Sequence, residues 1–340
     1  MKKITGILPI LLLCSQLVAG QLIDSVKFFT DEQLIEMTIT TDIKALQSEK
    51  KMDVFQDADV TMRFTDSTVI NGKVSVGARG HFRREFCTIP PLMLNFRGPA
   101  ASRLSSLGKL KLVIGCGTKS DDEQLILKEY LVYKMYNILE KKSFRARLLR
   151  VTYNDSRSKV KSYTQYAFLL EDDADMARRN GCVKKDKLQF LTESTNRDLM
   201  TMVAVFEYMI SNGDWSVPNN HNTKLIFEKN IPAALPYVVP YDFDHSGFVN
   251  AGYALPNELL GTESVTERVY RGFPRTMEEL ESVFEEFRKH KEKIYSLIMN
   301  FSLLKERTRK EAVDYLEDFY KTINNKSQVK TIFIDNARTK

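Results

Sequence analysis

The sequence predicts an α+β protein, β-rich first and helical last. Three observations carry that expectation. Apolar and polar residues alternate early in the chain, at Ile35, Met37 and Ile39 and again at Val60, Met62 and Phe64. Asn71-Gly72 separates Val69-Ile70 from Val74-Ser75-Val76, which reads as a hairpin because that turn needs positive φ at both central residues. From Ser120 the spacing becomes helical, with Leu127, Leu131, Tyr133, Met135, Ile138 and Leu139 populating a face that runs to about Glu140.

The remaining elements follow in order. Residues 92–96 and 109–114 are short apolar runs that read as strands. Ser120-Asp121-Asp122-Glu123 has the form of a capping box ahead of the first long helix. Residues 147–153 and 163–170 read as two strands joined by the polar loop 154–161. Residues 197–210 have helical spacing, with Met200, Val203, Phe206 and Met209 on one side, and Ser211-Asn212-Gly213 stops them. Residues 223–227 and 237–241 read as strands, and two charged amphipathic helices fill 276–301 and 303–323. There is no internal repeat and no low-complexity linker.

The N-terminus has the three-part layout of a secretory signal peptide over residues 1–20. Lys2 and Lys3 precede an apolar run over 7–18, and Val18-Ala19-Gly20 precede Gln21. The run is too short to span a bilayer, and no later segment is long enough either, so the mature chain is expected to lack a transmembrane segment. A buried N-terminal helix is the alternative. Lipid anchoring at Cys14 is disfavoured because Leu13, not a small residue, precedes it. The expected location is therefore periplasmic or extracellular, including the cell surface.

The composition, 43% hydrophobic and 28% charged, is that of a globular chain. The net charge of +6 falls to +4 once Lys2 and Lys3 leave with the signal. That is too mild, and too evenly interleaved with acids, to imply a nucleic-acid partner. Of the cysteines left after export, Cys87 and Cys116 flank strand-like runs and are expected to pair, leaving Cys182 single; three buried free thiols are the alternative. No Cys/His spacing resembles a zinc site.

Two loops concentrate acids and amides. One is Asn212-Gly213-Asp214-Trp215-Ser216-Val217-Pro218-Asn219-Asn220-His221-Asn222, and the other is Tyr241-Asp242-Phe243-Asp244-His245-Ser246-Gly247. Phosphoryl transfer needs a hard cation held by oxygen ligands, an acid that orients the acceptor hydroxyl, and a positive side chain on the phosphates. Asp214, then Asn219 or Asn222, then a strand pair, then Asp242 supplies the first two in the order of a kinase site. Lys111 on a strand and Glu129 on the next helix supply a phosphate-binding lysine and its acid in the same order. The bland readings stand beside these: the acids as turn and cap residues, the amides as Asx-turns, His221 and His245 as structural, and Arg79, Arg83 and Arg84 as a solvated basic face.

These segments resemble the kinase-like family of spore coat protein H (CotH). The parts that carry the resemblance are Val76-Gly77-Ala78-Arg79-Gly80, the run 212–222 leading into Thr223-Lys224-Leu225-Ile226, and Pro240-Tyr241-Asp242-Phe243-Asp244. The similarity covers about 74–247. It implies a divergent protein-kinase-like fold over 76–340, with C-terminal helices, behind a β-rich extension at 21–75. It also implies an exported atypical kinase that uses Mg or Mn with ATP, or another nucleotide, and a protein, glycan or lipid acceptor. By that resemblance Asp214 takes the catalytic position and Asp242 and Asn222 the metal, with Asp244 a second ligand or an orienter. Arg79, Lys111 and Glu129 serve the nucleotide. The loop after Asp214 is about two residues longer than the family pattern, so Asn219 and Asn220 compete with Asn222. No glycine-rich phosphate loop is visible.

Two other functions fit parts of the pattern. One is a catalytically inactive binding or surface module built on the same site. The other is a glycosyltransferase using Asp242-Phe243-Asp244 as its metal motif, which expects a nucleotide-binding α/β half where this chain shows strands and no Gly-rich turn.

Overall fold

The computed structural model describes residues 22–339, apart from residues 50, 81, 88, 99, 101, 118, 119, 186, 187 and 232. The expected signal peptide lies outside the described residues. Among the described residues there are ten strands: β1 (Ile35–Thr41), β2 (Phe55–Arg63), β3 (Val69–Ala78), β4 (Leu92–Asn95), β5 (Lys109–Ile114), β6 (Ala146–Asp155), β7 (Tyr163–Leu170), β8 (Cys182–Lys184), β9 (Thr223–Glu228) and β10 (Tyr237–Pro240). The helices are α1 (Ser25–Thr30), α2 (Ile43–Ser48), α3 (Phe82–Phe86), α4 (Ser120–Leu139), α5 (Asp173–Arg179), α6 (Arg197–Met209), α7 (Met277–Met299), α8 (Glu306–Ile323) and α9 (Lys326–Val329).

The α+β segregation is observed, but the kinase-like arrangement is not. β1 to β7 close into a barrel in the order β1-β2-β3-β4-β5-β7-β6. Neighbours are antiparallel except where β6 closes onto β1 in parallel register, Ile35 opposite Leu149. β1, β2 and β3 are barrel staves, and position 75/76 lies within β3. β8, β9 and β10 form a separate small sheet.

Strand alternation explains the barrel interior. Ile35, Met37 and Ile39 meet Val60, Met62, Val74, Val76, Leu92, Leu94, Leu110, Leu112, Leu149, Val151, Ala167 and Leu169 in one buried cluster. The opposite parity puts Val113, Leu148, Phe168 and Leu170 on the outer face, where they join a second cluster with α4, α6, α7 and α8. Lys111 shares the parity of Val113 and so faces the helical half. Among the described residues no helix is long and apolar enough to cross a membrane.

One local expectation is corrected. Asn71 and Gly72 do not turn the chain; they lie within β3, opposite Thr61 and Val60. The turn comes earlier, where the Phe64 N–H donates to the Thr68 carbonyl (2.9 Å) and Ser67 takes φ of 66°. Gly72 serves close approach, since a Cβ there would sit 2.9 Å from Ser102 Oγ. In the first turn of α4, Glu123 Oε1 accepts from the Tyr166 N–H (3.3 Å) of β7. A reciprocal capping box joins Thr276 and Glu279 at the start of α7.

Cys87 and Cys116 form the disulfide, 29 residues apart, and Cys182 is free and buried. Loop-closure entropy over that span is worth about 3.5 kcal/mol. Cys87→Ser with Cys116→Ser should therefore lower the unfolding free energy by about 2–4 kcal/mol in denaturant titration at unchanged slope. A variant as stable as the parent would mean that the segment around α3 is ordered without the bond.

Candidate functional site

The site is organised by the mouth of the β9–β10 hairpin. Thr223 pairs with Pro240, and the Tyr241 N–H donates to the Asn222 carbonyl (3.0 Å), so Asn222 and Asp242 sit on adjoining chains just past the ladder. Both take left-handed backbone, φ of 51° and 65°, which a side-chain-bearing residue adopts only where its surroundings enforce it. Asp242 is held from a third direction: its N–H donates to Tyr133 Oη of α4 (2.8 Å). Phe243 is buried against Tyr133 and Phe206 and anchors the segment between its two acids.

The Asp214 loop leaves the end of α6. The Asn212 N–H returns to the Glu207 carbonyl (2.8 Å), and Asn212 Oδ1 accepts from the Asp214 N–H (3.0 Å). Asn222 Nδ2 donates to the Asp214 carbonyl (2.7 Å) and to its Oδ2 (3.0 Å). His221 Nε2 lies 2.8 Å from Asp214 Oδ1, brought there by the paired N–H···O contacts between Ser216 and His221. Arg271 closes the loop from outside by donating to the Gly213 and Trp215 carbonyls. Asp214 also borders a pocket of about 350 Å3, with His245, Leu255, Leu260 and Glu267 in its wall.

Four cations approach from the barrel side and the hairpin. Lys111 places its ammonium 4.4 Å from the centroid of the Tyr241 ring, and Lys224 lies 5.4 Å from the same ring. Arg79 Nε donates to the Leu92 carbonyl (3.2 Å). Arg83, on α3, donates to the Ile114 carbonyl and pairs with Asp244 Oδ2 at 3.4 Å. Tyr253 Oη donates to the same oxygen at 3.0 Å.

The charges here are only partly matched. Among the described residues neither Lys111, Arg79 nor Asp242 has an ion-pair partner within 4 Å. Burial pushes Lys111 down to about 8. Burial, and then the neighbouring Asp244 carboxylate, push Asp242 up. Glu129 is 1% exposed, both its oxygens lack a hydrogen bond among the described residues, and burial, then Asp244 and Asp242, hold it well above the usual carboxylate range.

This geometry sorts the residues singled out in the sequence. Asp214, Asn222 and Asp242 are brought together. Asp244 is buried and already engaged by Arg83 and Tyr253, which suits an orienting role. Asn219 is exposed in the turn after Val217, its N–H on Ser216 Oγ (3.4 Å), and is not brought to Asp242. The expected Lys111–Glu129 ion pair does not form. Lys111 is drawn over Tyr241, while Glu129 sits deeper, in the fields of Asp244, Asp242, Arg83 and Arg79. Tyr133 and Tyr253 were not legible as site residues, since a lone tyrosine on a helix face or in a loop carries no local signature.

A divalent cation fits part of this set. Asn222 spends its amide nitrogen on Asp214, which leaves Oδ1 without a protein donor among the described residues, and Asp242 keeps both carboxylate oxygens free in the same sense. Oxygen donors of this kind suit Mg or Mn. Among the described residues no three His, Cys, Asp or Glu side chains gather as a metal cluster, so the protein offers few ligands and any such ion would keep other oxygens.

A carboxyl whose folded pKa is raised contributes stability at low pH that is lost as pH rises through that pKa. Ionised Asp242 therefore costs the ligand-free protein stability at neutral pH. Asp242→Asn should raise the unfolding midpoint at pH 7, and the difference should vanish near pH 3. A lower midpoint at pH 7 would show that the carboxylate is held by favourable contacts instead. No family model matches the sequence, and no curated protein is similar to it.

Proposed function

We propose that this cleft binds a nucleotide together with a divalent cation and transfers a phosphoryl group to a hydroxyl acceptor. The observation that carries this reading is the shielded group Arg79, Lys111 and Asp242, which lie within each other's fields yet form no ion pair among the described residues. Partly desolvated charges without partners are costly unless a ligand completes them. Two cations beside one carboxylate suit a polyphosphate carrying a metal ion. The resemblance of the 212–222 and 240–244 segments to the spore coat protein H family supports the same reading.

The roles follow from the contacts. Arg79 and Lys111 would hold phosphate oxygens, with Lys224 at the rim. Asp242 and Asn222 Oδ1 would hold the cation, which neutralises phosphate charge when bound. Asp214 keeps one carboxylate oxygen on Asn222 and the other on His221, so its orientation is fixed before an acceptor arrives. The adjoining pocket of about 350 Å3 gives a hydroxyl-bearing acceptor access to Asp214. His221, at 2.8 Å, is placed to take up a proton that reaches Asp214. A second reading, binding without turnover, is favoured by the engagement of Asp244 with Arg83 and Tyr253, which removes one candidate ligand.

Thermal unfolding with ATP, ADP, GTP and a nucleotide sugar, each with and without Mg or Mn, tests the reading. A ligand at about a hundred times its dissociation constant adds roughly 2.7 kcal/mol, which moves the midpoint by several degrees. We expect a metal-dependent shift with ATP that is absent in Asp242→Asn and fades as pH rises past about 8, where Lys111 loses its charge. No shift with any nucleotide, in protein shown to be folded, would sink the assignment. A nucleotide shift without metal-dependent ATP consumption, in the parent as in Asp214→Asn, would leave the binding module.

A further inference from the structure

The pocket of about 350 Å3 beside Asp214 has a chemistry of its own. It lies between the loop that leaves α6, a turn at 255–262 and the segment 264–269. Hydrogen bonds fix each wall. Ser211 Oγ reaches the Val265 and Glu267 carbonyls (2.9 and 2.5 Å), which ties 264–269 to the end of α6. Thr262 Oγ1 accepts from the Asn257 N–H (3.1 Å), and Asn257 Oδ1 accepts from the Leu259 N–H (3.1 Å), so the turn is closed on itself. Leu260 leans on the Asp214 loop, where a Cβ on Gly213 would sit 2.9 Å from its Cδ1. The pocket is therefore preformed, and its volume is at the small end of those that hold compact ligands.

The lining narrows the choice of occupant. Among the described residues no lysine or arginine borders the pocket, so nothing there would offset an anion. The carboxylates that border it besides Asp214 are Glu258 and Glu267, and both are exposed. Charge in that position is screened by water and salt and gives a cationic ligand little. The half-buried wall mixes Asn257, Thr262 and Ser264 with Leu260, Val265 and Val269. At the mouth stand Leu259, 96% exposed, and Leu255, 74% exposed, which among the described residues are the most exposed large apolar side chains. Apolar groups presented so fully beside a pocket mark a contact surface.

A sugar ring matches this lining. Its edge carries hydroxyls that pair with carboxylates and amides, and its faces carry C–H groups that pack on aliphatic side chains. An extended peptide would want a sheet edge or an open groove instead. We propose that this pocket is a saccharide site and that the phosphoryl acceptor is a hydroxyl of a neutral glycan, with one ring in the pocket and the next across Leu255 and Leu259. The transfer half of this inference rests on the function proposed above; the binding half does not. In the transfer the sugar hydroxyl oxygen bonds to the γ-phosphorus of ATP as the bond from that phosphorus to the β,γ-bridging oxygen breaks. ADP leaves, and the hydroxyl proton passes to Asp214. Each Asp214 oxygen meets one side chain, His221 or Asn222, and a carboxylate oxygen accepts a second donor.

Saturation-transfer NMR without nucleotide reads the binding half. The probes are neutral tetrasaccharides of glucose, mannose, xylose and N-acetylglucosamine, beside a peptide rich in lysine and serine. Far-ultraviolet dichroism checks that each variant is folded. We expect saturation of pyranose protons for at least one tetrasaccharide. Leu260→Trp, which fills the pocket, should abolish it. Leu255→Ser with Leu259→Ser should raise the dissociation constant about tenfold, since both side chains lie in solvent and their loss is felt only by a ligand. Saturation of no sugar in the set, a signal that survives Leu260→Trp, or binding of the peptide alone overturns the proposal. If Leu260→Trp fails to fold, the serine pair decides, and an unchanged dissociation constant there overturns it. Sugar binding without any nucleotide shift would sink phosphoryl transfer and leave the saccharide site standing. A nucleotide shift without sugar binding would do the reverse.

Discussion

The hydrogen bond from the Tyr241 N–H to the Asn222 carbonyl is the constraint on which the site depends. It extends the β9–β10 ladder by one step and then ends it, because Asn222 and Asp242 both turn into left-handed backbone. Past that point the two segments separate. One carries Asn222 and, through it, Asp214; the other carries Asp242 and Asp244. A ladder that ran one residue further would pair these positions as ordinary strand residues and send alternate side chains to opposite faces. Tyr133, from α4, fixes the Asp242 N–H and ties this mouth to the layer that packs on the barrel.

That geometry gathers charge where water is scarce. Burial, and then the neighbouring carboxylates, push Glu129 and Asp242 up. Arg83 offsets part of it by pairing with Asp244, while Arg79 and Lys111 lend their fields without closing ion pairs. An arrangement selected for the stability of the empty protein would pair these groups or replace them with apolar ones. This imbalance of charge is what the proposed function rests on, since a bound polyphosphate and cation would complete it.

Much of this was legible in the sequence where the signal is local. Period-two alternation at Ile35–Met37–Ile39 and the 3.6-residue spacing of Leu127, Leu131 and Met135 report which face is buried, and the structure buries those faces. Asp214, Asn222 and Asp242 stood out because they lie in loops rich in acids and amides that connect α6, β9 and β10. What failed was non-local. Barrel closure depends on β1 meeting β6 over a hundred residues away, and nothing within either strand encodes that partner. Asn71-Gly72 matched a turn signal, but Ser102 packing against Gly72 decided its role. Lys111 and Glu129 follow the right order, yet the side-chain directions set by the barrel's outer face and by α4 place them at different depths.

The excursion between β3 and β4 shows how a short segment comes to hold a buried arginine. α3 has five residues, too few to be stable as an isolated helix. Two tethers supply what it lacks: the Arg79 N–H on the Pro91 carbonyl (2.8 Å) closes the base of the excursion, and the Cys87–Cys116 bond fastens its end to the chain leaving β5. Between them Arg83 reaches the Ile114 carbonyl and Asp244. The same disulfide thus joins the strand that carries Lys111 to the helix that carries Arg83, and Arg79 stands at the base of that excursion. Three cations aimed at one carboxylate cluster would repel one another on a mobile loop. Covalent closure places the cost of ordering them largely on the unfolded chain, so the site can stay cationic without unravelling the segment that makes it so.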